Sequence, residues 1–303
     1  MNVSIVITAY NVEEYIIKCV DSALSNCDNN CEVIVVNDKS TDNTLQILNE
    51  HYSNNRFIKI INNESNVGPG LSRRIGIENA IGEYVLLLDG DDYIDNDFIY
   101  QLYNKAKETN ADVVSGGIKI VKEDGTWTAE SYGNCVTESY DKISRFWGER
   151  IVFMNNKLIR RSLYNKVPYN HRRYIEDTPT IIPILWYANK VVYIDNIGYN
   201  YVMRKESLTH NTNIVKDVIY KGLCWIDLLD FFNEKDKEVF NHIGIKNFIQ
   251  NIISTFNSIK NLNVKHVEPY MKDWIEFTVR IINVISVNSI NFKENEQVDK
   301  KHN

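Results

Sequence analysis

No stretch of this 303-residue chain reaches the run of about 18 apolar residues that a membrane-spanning helix needs. Positive charge is also short. The 34 Lys+Arg stand against 40 Asp+Glu, a net charge of −6, which disfavours a protein that grips a nucleic-acid backbone. A nucleotide ligand is not excluded, because it needs only a local cationic patch. Cysteine is scarce and odd in number. Cys19, Cys27, Cys31, Cys135 and Cys224 form no disulfide framework, and Cys27 with Cys31 is too few for structural zinc. Residues 1–7 lack a basic segment leading into a long apolar stretch, so they read as a strand rather than a targeting signal. The expected setting is therefore a reducing, cytoplasmic compartment. Internal repeats and low-complexity tracts are missing too.

What remains is an ordinary globular composition, 44% hydrophobic and 24% charged. The first 115 residues alternate β-branched apolar runs with helical periodicity. Strands are expected over 3–8, 32–36, 57–61, 83–88 and 112–115. Between the first two, Val12, Tyr15, Ile16, Cys19, Val20 and Ala23 mark one face of a helix. Ser40, Thr41 and Asp42 are cap candidates for a second helix, Gly68-Pro69-Gly70 opens a third, and Asp95 is expected to cap a fourth. This order predicts a mostly parallel α/β sheet covered on both faces. Beyond Gly116, Glu123-Asp124-Gly125 predicts a hairpin. Two helical stretches are expected to bracket residues 156–161, with a helix starting near Pro179 and a short strand over 191–194. Residues 216–233, 237–262 and 267–288 read as three helices. The segment 214–303 carries twelve Lys+Arg and twelve Asp+Glu, so the net charge belongs to the first 213 residues. That neutrality disfavours an electrostatic membrane anchor.

Directly after the apolar run of residues 84–88 comes Asp89-Gly90-Asp91-Asp92. Three carboxylates at a strand's end suit a hard cation at the edge where open α/β sheets bind ligands. The same residues would also serve as a polar turn. Thr8-Ala9-Tyr10-Asn11 and Asp38 fall at the ends of the first two strands, so a parallel sheet would gather them into one cleft. Glu176-Asp177 could supply a base or simply cap the helix that follows.

Taken in order, residues 4–11, Val36-Asn37-Asp38-Lys39-Ser40-Thr41-Asp42, Asn66-Val67-Gly68, Gly82-Glu83-Tyr84 and Asp89-Gly90-Asp91-Asp92 resemble the family-2 glycosyltransferases. The likeness resumes at 156–161, at Ile175-Glu176-Asp177, and from Tyr199 through Arg204, Ser207 and Thr209. The resemblance implies the GT-A fold, a Rossmann-like and mostly parallel sheet, over residues 1–213. Within it, 1–115 would bind nucleotide-sugar and 116–213 the acceptor, with 214–303 a helical region. It also implies that Thr8, Ala9 and Tyr10 border the base of a UDP-sugar, and that Asp38 accepts a hydrogen bond from uracil. Arg73 would face the nucleotide, and Asp89 with Gly90 would lie at the ribose or at a metal-bound water. Asp91 would ligate Mn²⁺ or Mg²⁺, with His210 a candidate metal or phosphate contact. Arg204 would lie near the pyrophosphate. Asp177 would be the catalytic base, with Glu176 in support.

Two positions depart from the family pattern, Lys39 where Gly is usual and Arg74 where Asn is usual. Both would add positive charge near the diphosphate. Trp127, Trp147, Tyr174, Trp186, Tyr199 and Tyr201 are candidates for a sugar-stacking shelf. The expected activity is inverting, metal-dependent transfer to a hydroxyl of a glycan, teichoic acid or lipid-linked acceptor. Peripheral association with the plasma membrane's inner face and self-association through the C-terminal helices are compatible with it. The alternatives are a silent GT-A-fold glycan-binding or scaffold protein and a sugar nucleotidyltransferase. Tyr10-Asn11-Val12-Glu13 argues against the latter, because it stands where that chemistry needs a Gly-rich basic loop.

Overall fold

The computed structural model describes residues 2–27, 30–131, 133–137, 153–168, 175–204, 214–235, 272–273 and 275–280. The chain divides into two compact units, Met1–Ser207 and Leu208–Asn303. In the first, β1 (Val3–Ala9), β2 (Cys31–Asn37), β3 (Ile58–Asn62) and β4 (Tyr84–Asp89) pair in parallel in the order β3-β2-β1-β4. The order in which strands are added reverses between β1 and β4, a topological switch point, where such sheets open a ligand crevice beyond the strands' carboxyl ends.

The sheet continues through β9 (Lys157–Arg160), β6 (Val113–Val121), β10 (Val191–Val202) and β5 (Tyr93–Ile94). The short strands β7 (Trp127–Glu130) and β8 (Cys135–Thr137) pair with β6 and β10. β9 lies antiparallel between β4 and β6, whereas β6 and β10 run parallel.

Helices α1 (Ile16–Ser25), α2 (Thr44–Tyr52) and α4 (Phe98–Thr109) cover one face. Their buried Ile16, Cys19, Leu48 and Leu102 share a core with Ile5, Ile7, Val33, Val35, Leu86 and Leu88. Each such aliphatic side chain contributes roughly 1.5–3 kcal/mol when buried, which is why alternate strand positions face these helices. The opposite face takes α3 (Pro69–Asn79), which lies so close that a Cβ on Gly76 would sit 2.2 Å from the Val6 Cγ1 atom. α5 (Thr178–Tyr187) follows Glu176-Asp177. In the second unit, α6 (Ile214–Lys235) meets the helical residues 275–280: Phe277 packs on Gly222, and Arg280 pairs with Asp227 and Asp230.

Several expectations change. The strand expected at 112–115 is the start of the nine-residue β6, and the one expected at 191–194 is the start of the twelve-residue β10. Of the two helical stretches expected around 156–161, the later one is a short 3-10 turn, Arg161–Asn165, which follows strand β9, and residues 138–152 ahead of it lie outside the described residues. Asp97, in left-handed backbone, occupies the cap position of α4, while the Asp95 carboxylate receives Lys119 and Asn200. Cys27 and Cys31 are paired as a disulfide; Cys19, Cys135 and Cys224 are free thiols. The helix expected at 237–262, along with Trp147, Tyr174 and His210, lies outside the described residues.

Candidate active site

Each strand of the parallel half delivers a polar side chain to the crevice. At the end of β1, the Thr8 hydroxyl donates to Asp89 Oδ1 over 3.1 Å, Ala9 is buried, and Tyr10 stands 44% exposed. Past β2, the backbone N–H of Asp38 donates to the Ala9 carbonyl. The Asp38 carboxylate accepts the backbone N–H groups of Val67 and Gly68, each at 2.8 Å, and the Asn63 amide at 2.9 Å. Asp38 therefore holds the loop that leads into α3, and Gly68, with φ of 89°, is the residue that makes this turn. Lys39 takes a left-handed φ of 59°. The family's usual glycine at this place is thus explained by backbone shape rather than by charge near a phosphate.

Past β4, Asp89 is the centre of the array. Arg73 from α3 bonds both of its oxygens, at 2.9 and 3.2 Å, and Asn155 donates to Oδ2 at 2.7 Å. Burial opposes its ionisation, but the Arg73 charge and these hydrogen bonds prevail and hold its carboxyl below the ordinary value. Gly90 closes the turn: a Cβ there would meet the Thr8 carbonyl oxygen at 2.9 Å. Asp91 sits at the mouth, its side chain 18% exposed, 2.6 Å from Arg204 Nε. Burial first, then the Asp89 charge, pushes its carboxyl up, while Arg204 opposes. Arg204 also donates to the Asn11 carbonyl and lies over the Tyr15 ring. Asp92 turns away from the mouth, accepting the Tyr199 hydroxyl and the Val202 N–H of β10. Tyr199 is thus buried support, whereas Trp127 is 58% exposed on the hairpin.

Arg73 carries the array to α5. Its Nη1 reaches Glu176 Oε1 at 2.8 Å and Asp177 Oδ1 at 2.7 Å. In extended backbone two adjacent carboxylates would point opposite ways. Ile175 is in left-handed backbone at φ 55° and Asp177 is already helical, so the pair is not extended and both turn towards Arg73. Asp177 occupies the cap position of α5, yet its side chain makes no capping bond. Burial, then the neighbouring Asp177 charge, pushes Glu176 up to about 7 against the pull of Arg73. The Asp177 carboxyl is also raised, chiefly by burial. Arg74 lies elsewhere, engaged with Glu78 and the Tyr164 carbonyl, so it does not add charge at the crevice.

Two further residues escaped the sequence. Asn155 bridges Asp89 and the Tyr199 hydroxyl. Lys157, fully buried on β9, donates to the Phe153 carbonyl and the Asn156 amide oxygen. Burial brings its ammonium down to about 7, with the Asp177 charge working against that fall. The place of Lys157 in the segment 156–161, where the family likeness resumes, was the available signal.

A cation fits this donor set in one way. Among the described residues no three His, Cys, Asp or Glu side chains converge as a complete cage. Asp91 at the mouth, with Asp89 behind it, offers the one or two carboxylates to which Mg²⁺ and Mn²⁺ add phosphate oxygens and water.

A mostly parallel sheet with an Asp-x-Asp turn at its switch point and a carboxylate pair opposite defines the GT-A class of fold. The family model described as Glycosyl transferase family 2 matches residues 4–168, more than half of the chain. The protein belongs to glycosyl transferase family 2 and is a glycosyltransferase. Glycosyltransferase GlyG of Streptococcus pneumoniae is 30% identical over 245 residues, covering 77% of this chain and 79% of that protein. The Poly(ribitol-phosphate) beta-glucosyltransferase of Bacillus spizizenii is 27% identical over 94% of this chain, which spans only 45% of that enzyme. The crystal structure of S. aureus TarS 1-349 in complex with UDP is similar at a TM-score of 0.60 and 26% identity, covering 76% of this chain and 66% of that one.

Proposed function

We propose that the protein transfers a sugar from a UDP-sugar, with inversion and with help from a divalent cation, to a hydroxyl of a glycan or polyol-phosphate acceptor of the cell surface. The observation that carries this reading is the bridge made by Arg73 between Asp89 and the Glu176-Asp177 pair. It supports reading Asp177 as a base beside the strand end where a diphosphate would be held. Relatives point the same way: the TarS structure holds UDP, and the Bacillus enzyme's name specifies a poly(ribitol-phosphate) glucosyltransferase.

In this reading Thr8, Ala9 and Tyr10 border the nucleotide, and Asp38 fixes the loop beside it. Asp91, and Asp89 through water, would hold Mg²⁺ or Mn²⁺, which supplies charge neutralisation to the departing diphosphate. Arg204 adds a second positive charge there once it leaves Asp91. The acceptor oxygen attacks the anomeric carbon from the face opposite the diphosphate. Its proton passes to Asp177 as the C–O bond forms and the bond to UDP breaks. A positioned carboxylate of this kind is worth about 10²–10⁴-fold in rate. Glu176 retains a proton near neutrality, which leaves the ionised form to Asp177.

The test is metal-dependent UDP release from a panel of UDP-sugars. Asp177→Asn is expected to lose turnover by at least about 10²-fold while binding UDP as the wild type does. Asp91→Ala is expected to lose both turnover and the metal dependence of UDP binding in calorimetry. Wild-type turnover in either variant sinks the assignment.

A further inference from the structure

Two arginines reach the acidic turn, and they hold it differently. Arg73 binds both oxygens of Asp89 through directed hydrogen bonds, at 2.9 and 3.2 Å. Thr8 and Asn155 add two more, so that carboxylate is fixed. Asp92 is fixed as well, by the Tyr199 hydroxyl and the Val202 N–H. Arg204 approaches Asp91 in another way. Its Nε lies 2.6 Å from Asp91 Oδ2, but this N–H makes no aligned hydrogen bond, so charge rather than a directed bond holds the pair. The other contacts of this guanidinium are light. Nη1 reaches the Asn11 carbonyl at 3.4 Å, beyond the ordinary span of about 2.7–3.2 Å. The guanidinium carbon stands 5.8 Å from the centre of the Tyr15 ring, near the outer limit of about 6 Å for such a contact. Arg204 thus spans the loop after β1 and the acidic turn while bound firmly to neither.

From this contrast we infer that Arg204 is a resident counter-ion that competes with a divalent cation for Asp91 and passes to the diphosphate, so that cation and nucleotide are admitted together. The inference rests on the reading of Asp91 as a cation ligand and deepens it: the species that binds is the cation–nucleotide complex, not a free ion followed by nucleotide. Asp91 Oδ2 cannot serve a guanidinium and a dication at once, because the two positive charges would crowd one oxygen. A cation arriving alone must therefore push Arg204 aside, leaving it the Asn11 carbonyl and the Tyr15 face. A diphosphate removes the conflict. Its oxygens can accept two N–H groups of the guanidinium fork, and they also complete the shell of a cation that takes only one or two carboxylates from the protein. Arg204 thus opposes the cation by itself and favours it once nucleotide is present. Linkage makes the effect mutual, so the cation tightens nucleotide by the factor by which nucleotide tightens the cation.

Two titrations on the full chain test this: Mn²⁺ alone, followed by the EPR signal of the free ion, and UDP in saturating Mn²⁺, followed by calorimetry. Arg204→Met is expected to bind Mn²⁺ alone about five- to tenfold more tightly than the wild type, and UDP with Mn²⁺ about tenfold more weakly. Opposite signs mark an exchange of partners, since a merely structural role would weaken both. Arg204→Lys, which keeps the charge, is expected to hold Mn²⁺ alone at the wild-type affinity. Arg204→Gln is read in the same way as Arg204→Met if the latter fails to fold. Unchanged or weaker binding of Mn²⁺ alone once the charge is removed overturns the inference. So does UDP binding in Mn²⁺ that is indifferent to its removal, or an Arg204→Lys variant that behaves like Arg204→Met. Each of these results leaves the cation reading of Asp91 intact. Wild-type UDP binding that does not respond to Mn²⁺ would overturn that reading and this inference together, so the two failures are separable.

Discussion

Glu176 and Asp177 share one guanidinium group, and that sharing sets how the site responds to pH. Glu176 is pushed up to about 7, by burial first and by Asp177 second. The folded protein therefore holds a proton that the unfolded chain has released. Stability from this group is full below the ordinary glutamate range and is lost as pH rises through about 7. Glu176→Gln is expected to remove that decline, seen in urea midpoints measured between pH 5 and 8. In activity, Glu176 is already protonated where Asp177 gives up its proton, so the same substitution should leave the acid limb of kcat/KM in place. A limb that moves down would mean Glu176 carries its charge there and Asp177 the proton. Lys39 carries a second residue-scale expectation. Its left-handed φ of 59° costs about 1–2 kcal/mol, against roughly 0.4–1 kcal/mol of extra chain entropy for glycine. Lys39→Gly should therefore stabilise the protein by a few tenths to about 1 kcal/mol, read by denaturant titration. The sequence showed Lys39 as a departure from its family but not why. A backbone angle has no trace in composition, whereas acidic side chains at strand ends announce themselves.

Among the elements, those with long regular patterns were legible and the short ones were not. β1, β2 and β4 are buried along most of their length and α1 buries a full face, so their apolar patterns display them. β9 has only four residues, one of them a lysine, and no alternation can be read over so short a span. β10 was cut short in the sequence because Asp195-Asn196 interrupts its apolar run. The structure passes through that interruption with register shifts between Tyr193 and Ile197, then resumes pairing to Val202. These two elements bring Asn155, Lys157, Tyr199 and Val202 to the site, which is why its second half was hidden. The contact of α3 with the sheet is also tight. Gly76→Ala would place a methyl against Val6 and Val36 on stiff β-branched side chains. Overpacking costs roughly 1–3 kcal/mol, and the better helix propensity of alanine returns only about 1. A lower urea midpoint with an unchanged m-value is the expected result, and a stabilised variant would show that α3 is free to shift.

At the scale of the whole molecule, every described candidate site residue falls within Met1–Ser207, which has its own core. A chain ending at residue 207 is expected to unfold cooperatively and to bind UDP with Mn²⁺ in calorimetry. Failure to fold would show that the C-terminal unit completes the core rather than adding to it. In the sequence, neutral charge and helical periodicity set residues 214–303 apart. They assign no role, because an amphipathic helix looks the same whichever surface it covers.

The placement of β9 bears on how the polypeptide is made. β4 ends at residue 89, but its outer neighbour begins at residue 157. A ribosome therefore releases the parallel strands β1 to β4 with an open, apolar margin for some seventy residues of translation, and unpaired margins of this kind attract other chains. Asp92 finds its partners Tyr199 and Val202 later still. The acidic turn can settle only when synthesis has passed residue 202, so a product truncated before it would emerge with its carboxylates gathered but not yet anchored.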